Sequence, residues 1–385
     1  MSPTDDASPD DQVAPIPWFV VGEDTVRLLC DGVQAFPAML AAIAAAKREI
    51  LLEMYWIGTD AVGEMFRDAL AVRARQGIVV RVVYDALGSL GMNAGFWNTL
   101  VDAGGDVREY HTLVPFAPAF RWNSIEQRDH RKLLVVDGRD GFTGGINLGL
   151  QWLSKDQGGG GWRDDMVQVR GEAVEELRTL FYRTWRRVAR TPPPPDLRPL
   201  ARKRTRPVWV LASKRRHRRS IHREYLVRIG TARERIDIAN SYFVPNRPVR
   251  NALFRAVARG VRVRVMVPAE SDVPVVQYAQ EALFDVLLRH GVEIYAYAPP
   301  MLHSKTAIID DHFCTIGSYN LDERSFRKNL ELNLAVEDRA FASHVRAQYE
   351  RDISRARRLD LRSWRGRSVA RRGAEWVAWA LRDLW

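Results

Sequence analysis

The chain has little cysteine, little lysine and no long apolar run, and each shortage excludes something. Cys30 and Cys314 are the only cysteines and no CxxC is present. That leaves no disulfide framework and no cysteine-based zinc site, and it fits a reducing compartment. The longest apolar run, Ala35 to Ala46, contains Pro37. It is about half the ~20 residues that a bilayer span requires, so any membrane contact is expected to be peripheral. The first residues carry Asp5, Asp6, Asp10 and Asp11 among Pro and Ser, which is neither signal peptide nor transit peptide. Neither half of the chain carries the clustered carboxylates or additional histidines of a two-metal site.

Positive charge is abundant but is written almost entirely as arginine, with only seven lysines. The 385 residues carry a net charge of +11, which calls for an anionic partner: nucleic acid, membrane surface or phosphate-bearing substrate. The excess is local. Residues 201–223 hold ten Lys/Arg and no acid, and residues 351–372 hold nine Arg against Asp352 and Asp360. Outside these two stretches the chain is net acidic.

The length suits two domains of about 150–200 residues. Pro192 to Pro195 cannot continue a helix or a central strand, so 191–206 reads as a semi-rigid basic linker. The flanking halves repeat in order. Residues 66–85 and 249–268 each spell an amphipathic helix closing at a glycine (Gly77, Gly260), followed by an apolar strand. Another helix ending at glycine (Gly104, Gly291) and a strand follow in each. Strands alternating with helices predict α/β halves with helices covering both faces of a sheet. The divisions are a disordered N-terminus at 1–17, a first half at 18–190, the linker, a second half at 207–350, and a basic Trp-rich tail at 351–385.

The repeat carries chemistry. His130-Arg-Lys132 with Asp137 and His303-Ser-Lys305 with Asp310 share the pattern H-x-K-x4-D, and Asn147 and Asn320 each lie 17 residues past their histidine. On a strand, His and Lys two residues apart project to the same side. A chance match is on the order of 1% once and about 10⁻⁴ twice. Duplicated His, Lys and Asn suit a phosphodiester. Two lysines and two asparagine amides can clamp the non-bridging oxygens and stabilise the pentacoordinate state. One neutral imidazole can attack phosphorus, and the other can protonate the leaving alcohol and later deprotonate the acceptor. Such a centre needs no metal and no other cofactor. Spacing alone does not say which histidine attacks. Each histidine also wants a carboxylate on its second ring nitrogen; Glu331, and Asp164 in the matching strand of the first half, fill that position, with Asp165 out of register.

Duplicated HxKxxxxD, each followed by GG/GS-x-N, resembles the phospholipase D superfamily over residues 18 to about 340. The strings HRKLLVVDGRDGFTGGINLG and MLHSKTAIIDDHFCTIGSYNLDERSFRKNLELNLAV are most similar to bacterial cardiolipin synthases of the short type without N-terminal transmembrane helices. The resemblance implies two pseudo-symmetric α/β/α sandwich halves with one central site between them. It implies phosphatidyl transfer between two phosphatidylglycerols, giving cardiolipin and glycerol, at the cytoplasmic face of the bacterial inner membrane. By the same resemblance Asp137 and Asp310 join the catalytic set, Ser318 joins Asn147 and Asn320 at the phosphate, His130 is the nucleophile and His303 the general acid/base. The run Gly158–Gly161 before Trp162 departs from the pattern as an irregular insertion. The alternatives are a phosphodiesterase of the same superfamily that admits water, acting on lipid or nucleic acid, and a non-catalytic binding module.

Two peripheral segments bear on substrate. The apolar stretch with Leu113, Val114, Phe116, Phe120 and Trp122 ahead of His130 reads as a lid or an acyl-chain contact. In the tail, Trp376, Trp379 and Leu384 recur at helical intervals beside the Arg cluster, with Trp364 and Trp385 flanking. That pairing suits anionic phospholipid headgroups, so a membrane surface and no nucleic acid is expected as partner, and deleting 351–385 is expected to harm lipid binding more than the fold.

Overall fold

The computed structural model describes residues 15–114, 126–197, 206–213 and 220–381. The acidic N-terminal residues 1–14, the insertion from Pro115 to Trp122, most of the first basic run and Trp385 lie outside the described residues.

In the first half the strands are β1 (Phe19–Val21), β2 (Asp24–Cys30), β3 (Glu49–Met54), β4 (Val79–Asp85), β5 (Asp106–Tyr110), β6 (Lys132–Val136), β7 (Asp140–Gly144) and β8 (Asp165–Arg170). The helices are α1 (Asp31–Ala44), α2 (Ala61–Arg75), α3 (Asn98–Asp102) and α4 (Glu172–Ala189). The second half has β9 (Val208–Ala212), β10 (Arg235–Asn240), β11 (Arg262–Pro268), β12 (Glu293–Tyr297), β13 (Lys305–Ile309), β14 (Phe313–Gly317), β15 (Leu332–Glu337) and β16 (Ala356–Arg358). Its helices are α5 (Ser220–Thr231), α6 (Arg247–Ala258), α7 (Pro274–Arg289), α8 (Glu323–Arg327), α9 (Arg339–Ile353), α10 (Leu361–Arg365) and α11 (Val369–Ala380).

The sheet orders are β1-β2-β8-β7-β6-β3-β4-β5 and, read in the same direction, β9-β15-β14-β13-β10-β11-β12-β16. Seven strands correspond one to one, so the internal repeat is a repeated sheet. In each, the βαβ crossovers make β3, β4 and β5, or β10, β11 and β12, parallel, and the motif strand β6 or β13 runs antiparallel beside them.

Local chemistry explains the repeated helices. Asp60 caps α2 by accepting the N–H groups of Val62 and Gly63 at 3.0 and 3.1 Å, and Asn246 caps α6 through Val249 N–H at 3.3 Å. Both helices run out into glycines at positive φ, Gly77 at 83° and Gly260 at 89°, where a side chain would be strained.

Among the described residues three apolar cores result. One lies under α1 and α2, one under α5, α6 and α7, and a third is shared between the sheets, where Phe181 and Trp185 of α4 and Phe341 and Tyr349 of α9 meet both. The halves are also stitched at the backbone. His130 N–H donates to Leu330 C=O at 3.0 Å, and His303 N–H to Arg163 C=O at 2.7 Å.

The tail is not a separate segment beginning at 351. α9 continues to Ile353, and β16 pairs along β12 with Ala356 opposite Tyr297. Beyond it Trp364 packs on Phe284 with ring centroids 5.2 Å apart, and Arg371 pairs with Glu281 at 2.9 Å. The reason is an open sheet edge and an acid-bearing face on α7, features that local periodicity in the tail does not reveal.

Candidate active site

β6 and β13 each begin with the motif lysine, and the histidine stands two residues earlier, where the chain enters the sheet. Both histidines, Asn147 and Asn320 line one cleft of about 450 Å³ between the halves. Its walls are aromatic: Tyr55 and Trp56 follow β3, Tyr242 follows β10, and Trp152 and Trp162 come from the loop between β7 and β8.

The histidine–carboxylate pairs cross between halves. His130 Nδ1 lies 3.1 Å from Glu331 Oε2, and His303 Nδ1 lies 2.7 Å from Asp164 Oδ2. Each carboxylate therefore fixes the imidazole of the other half and leaves Nε2 for chemistry in the cleft. Asp165 points elsewhere, to Ser304 and Thr306 hydroxyls at 2.6 Å each and to Arg163 at 2.6 Å.

The two carboxylates are held differently. Asp164 Oδ2 also accepts the Trp152 indole N–H at 2.9 Å, and the Cβ of a side chain at Gly145 would fall 2.2 Å from Asp164 Oδ1. Glycine at 145 thus makes room for the carboxylate. The matching residue in the second half is Ser318, whose hydroxyl donates to Glu331 while accepting Leu332 N–H at 3.0 Å. Ser325 donates to the other Glu331 oxygen at 2.8 Å. The Ser318 hydroxyl thus spends its proton on Glu331 and its lone pair on Leu332 N–H, where the expectation had placed it on a bound phosphate.

The motif aspartates also stand away from the cleft. Asp137 and Asp310 sit at the far ends of β6 and β13 with φ of 56° and 49°. Asp137 accepts the N–H groups of Lys47, Arg48 and Glu49 at 2.7, 2.7 and 3.0 Å; Asp310 does the same for Arg233, Glu234 and Arg235. Each follows the five-residue strand that its lysine opens, about 16 Å of extended chain away, so they tie strands together and do not touch the reacting atoms.

The lysines are buried beneath the histidines. Lys132 Nζ donates to His130 C=O at 2.7 Å and faces the Tyr55 ring at 4.9 Å; Lys305 Nζ donates to Ser241 Oγ at 2.8 Å and also reaches His303 C=O. Burial lowers Lys132 to about 7 against the pull of Glu331, with Lys305 adding to the effect, and lowers Lys305 to about 8 against the pull of Asp164. Burial lowers His130, with Glu331 opposing, and lowers His303 much further, with Lys305 adding to the effect. Asp164 is pushed up to about 7 by burial, although Lys305 opposes it. Glu331 is also buried, but His130, Lys132 and the Ser318 hydroxyl outweigh that and hold it below the usual carboxylate range. Two cations short of counter-charge, beneath two neutral imidazoles, form a site that gains by receiving an anion.

The Gly158–Gly161 run has a packing reason. A Cβ at Gly159 would lie 2.4 Å from Leu153 C=O, and one at Gly160 would lie 2.9 Å from Gln151 Cα, so only glycine lets this loop fold back on residues 150–153. The loop thereby delivers Trp162 to His303, with ring centroids 5.6 Å apart. Trp152, Trp162, Tyr55, Ser325 and Arg324 were not legible as site residues; only proximity to the motifs could have flagged Arg324 and Ser325.

Residues 39–185 and 225–353 match the family described as cardiolipin synthase, PLD-like domain. The chain belongs to that family. A probable cardiolipin synthase of Bacillus subtilis, YwiE, is 32% identical over 366 residues, spanning 92% of this chain and 71% of the relative. Cardiolipin synthase A of Pseudomonas entomophila is 35% identical over 351 residues, 88% of this chain and 70% of the relative. The family fold is matched in the crystal structure of phosphatidylserine synthase from Haemophilus influenzae, with a TM-score of 0.66 at 13% identity, covering 96% of this chain and 98% of that one.

Proposed function

We propose that this chain is a phosphatidyltransferase that joins two phosphatidylglycerols into cardiolipin and releases glycerol, through a phosphohistidine. The observation that carries the reading is the pair of imidazoles in one cleft, each with Nδ1 on a buried carboxylate of the opposite half. His130 Nε2 attacks phosphorus of the first lipid, the P–O bond to glycerol breaks, and the leaving oxygen takes a proton from His303 Nε2. The headgroup hydroxyl of the second lipid then attacks phosphorus, gives its proton back to His303, and the P–N bond breaks. Membership of the cardiolipin synthase family supports this reaction over hydrolysis.

The role assignment rests on the carboxylates. Glu331 stays ionised and keeps a proton on His130 Nδ1, so Nε2 carries a lone pair. Asp164, raised to about 7, shares a proton with His303, and a proton anywhere on that pair leaves Nε2–H available to the leaving oxygen. Lys132, Lys305, Asn147 and Asn320 hold the phosphate oxygens.

The cleft has the volume of a small-ligand site, so the acyl chains of both lipids stay outside it, in a bilayer. Peripheral attachment is supported by α11, where Val369, Trp376, Val377 and Leu381 are exposed beside Arg362 and Arg372. Among the described residues no helix is long and apolar enough to cross a membrane. Two free cysteines support the cytoplasmic face.

The test is to incubate the purified protein with phosphatidylglycerol vesicles, chromatograph the lipids, and trap the phosphoenzyme for mass spectrometry. Cardiolipin and glycerol in equal amounts, with label on His130 and none in His130→Ala, are expected. Phosphatidic acid alone would replace transfer by hydrolysis, and label on His303 would exchange the two roles.

A further inference from the structure

Arg324, on α8, lines the same cleft as both histidines and is half-buried. Its neighbours are neutralised: Arg327 pairs with Glu323 and Lys328 with Glu126 at 3.2 Å. Arg324 has no acidic partner within ion-pair distance among the described residues. The carboxylate nearest in sequence, Asp322, lines the same cleft and feels the charge of Arg324, but it is engaged in capping α8 through Ser325 N–H at 2.7 Å and forms no ion pair with Arg324. The backbone at Arg324 is pinned, since its carbonyl accepts the N–H groups of Lys328 and Asn329 at 2.8 and 3.0 Å. Asn329 also lines the cleft, and its Oδ1 is buried with no donor, as is Oδ1 of Asn320.

Arg324 and Asn329 have no task in the transfer of the first phosphate, which the two buried lysines, Asn147 and Asn320 already hold. It has one when the second substrate arrives. An acceptor lipid brings its own phosphodiester charge beside the first phosphate, only a glycerol bridge away, and its free hydroxyls need acceptors. A half-buried guanidinium matches a phosphate diester in shape and charge, and buried carbonyl oxygens match hydroxyl donors.

We infer that Arg324 and Asn329 form the acceptor subsite, with Arg324 binding the phosphate of the incoming lipid alcohol, so that the enzyme selects an anionic alcohol over a neutral one. The inference rests on the phosphatidyl-transfer reading and deepens it by naming what sets the acceptor.

The experiment compares two reactions of one donor in the same vesicles: cardiolipin formation from phosphatidylglycerol, and exchange of its headgroup with radiolabelled free glycerol. Exchange needs the same histidines but no second phosphate. In Arg324→Gln the expected result is a loss of roughly tenfold or more in kcat/KM for cardiolipin formation, read as a raised KM, while exchange stays within about twofold. Arg324→Lys, which keeps the charge, recovers part of the loss, and a thermal melt confirms that both variants are folded. A parallel fall in both reactions would put Arg324 in the chemical step, and unchanged cardiolipin formation would remove it from the site; either overturns the inference. Wild-type protein that forms neither cardiolipin nor the glycerol-exchanged lipid would instead refute the transferase reading itself, because both reactions require phosphatidyl transfer.

Discussion

Gly145 shows how little space separates a working histidine from an idle one. A methyl group there must displace Asp164, the group that holds His303 in position, while the surrounding core is untouched. Gly145→Ala is expected to keep the fold, by near-UV circular dichroism, and to lower kcat by about 10²-fold, the usual effect of moving a catalytic group by ~1 Å. The lysines set the pH dependence. Their folded pKa values are depressed, to about 7 for Lys132 and about 8 for Lys305, so charge is lost as pH rises through that range. Asp164, raised to about 7, works in the same direction, because above that pH the His303 pair has lost the proton it donates. The kcat/KM profile for phosphatidylglycerol is therefore expected to fall from about pH 7 to 8, and a plateau running to pH 10 would contradict this placement of the lysines. On the acid side His130 is depressed below its ordinary value, which extends the active range downward.

Among the elements, α11 separates two roles that the tail combines. Ala378 and Glu375 are buried, with Arg367 and Arg371 pairing to the acids of α7 and of α11 itself, while Trp376 is 65% exposed. Along the chain, Trp364 meets Phe284, Arg371 meets Glu281 and the Tyr278 ring, so α11 runs antiparallel to α7. Its C-terminal end thus lies toward Val273 and Val276, which line the cleft. Replacing Trp376 and Val377 by serine is expected to reduce co-sedimentation with anionic liposomes while the melting temperature stays within a few degrees. Deleting 351–385 removes the end of α9 and β16 as well, and is expected to lower the melting temperature markedly, contrary to the expectation from the tail sequence alone.

For the whole molecule, the crossed pairs make neither half sufficient. His130 depends on Glu331 and His303 on Asp164, and the shared core draws on α4, α9 and both sheets. A chain divided between residues 198 and 205 is expected to give inactive halves that each expose the core face. Co-expression is expected to recover a one-to-one complex with activity, measured by size-exclusion chromatography and cardiolipin formation. Activity in an isolated half would mean that its histidine finds a carboxylate of its own.

Much of this was already present in the linear order of residues. The repeat, the alternation of helix and strand, both H-x-K motifs with their asparagines, and Asp164 rather than Asp165 all follow from periodicity and spacing, because these are short-range consequences of backbone geometry and strand pleat. What depended on tertiary structure is everything that joins distant segments. Spacing cannot say that the carboxylates serve the opposite histidine, because the partners stand 201 and 139 positions apart in the two pairs. It groups Asp137 and Asp310 with the motif although the strand carries them to its other end, and the family resemblance assigns Ser318 to phosphate although the fold turns it onto Glu331. It leaves Arg324 as one arginine among many. Short-range order comes from the pattern of side chains along one strand or helix; the site comes from which two strands the folded chain sets face to face.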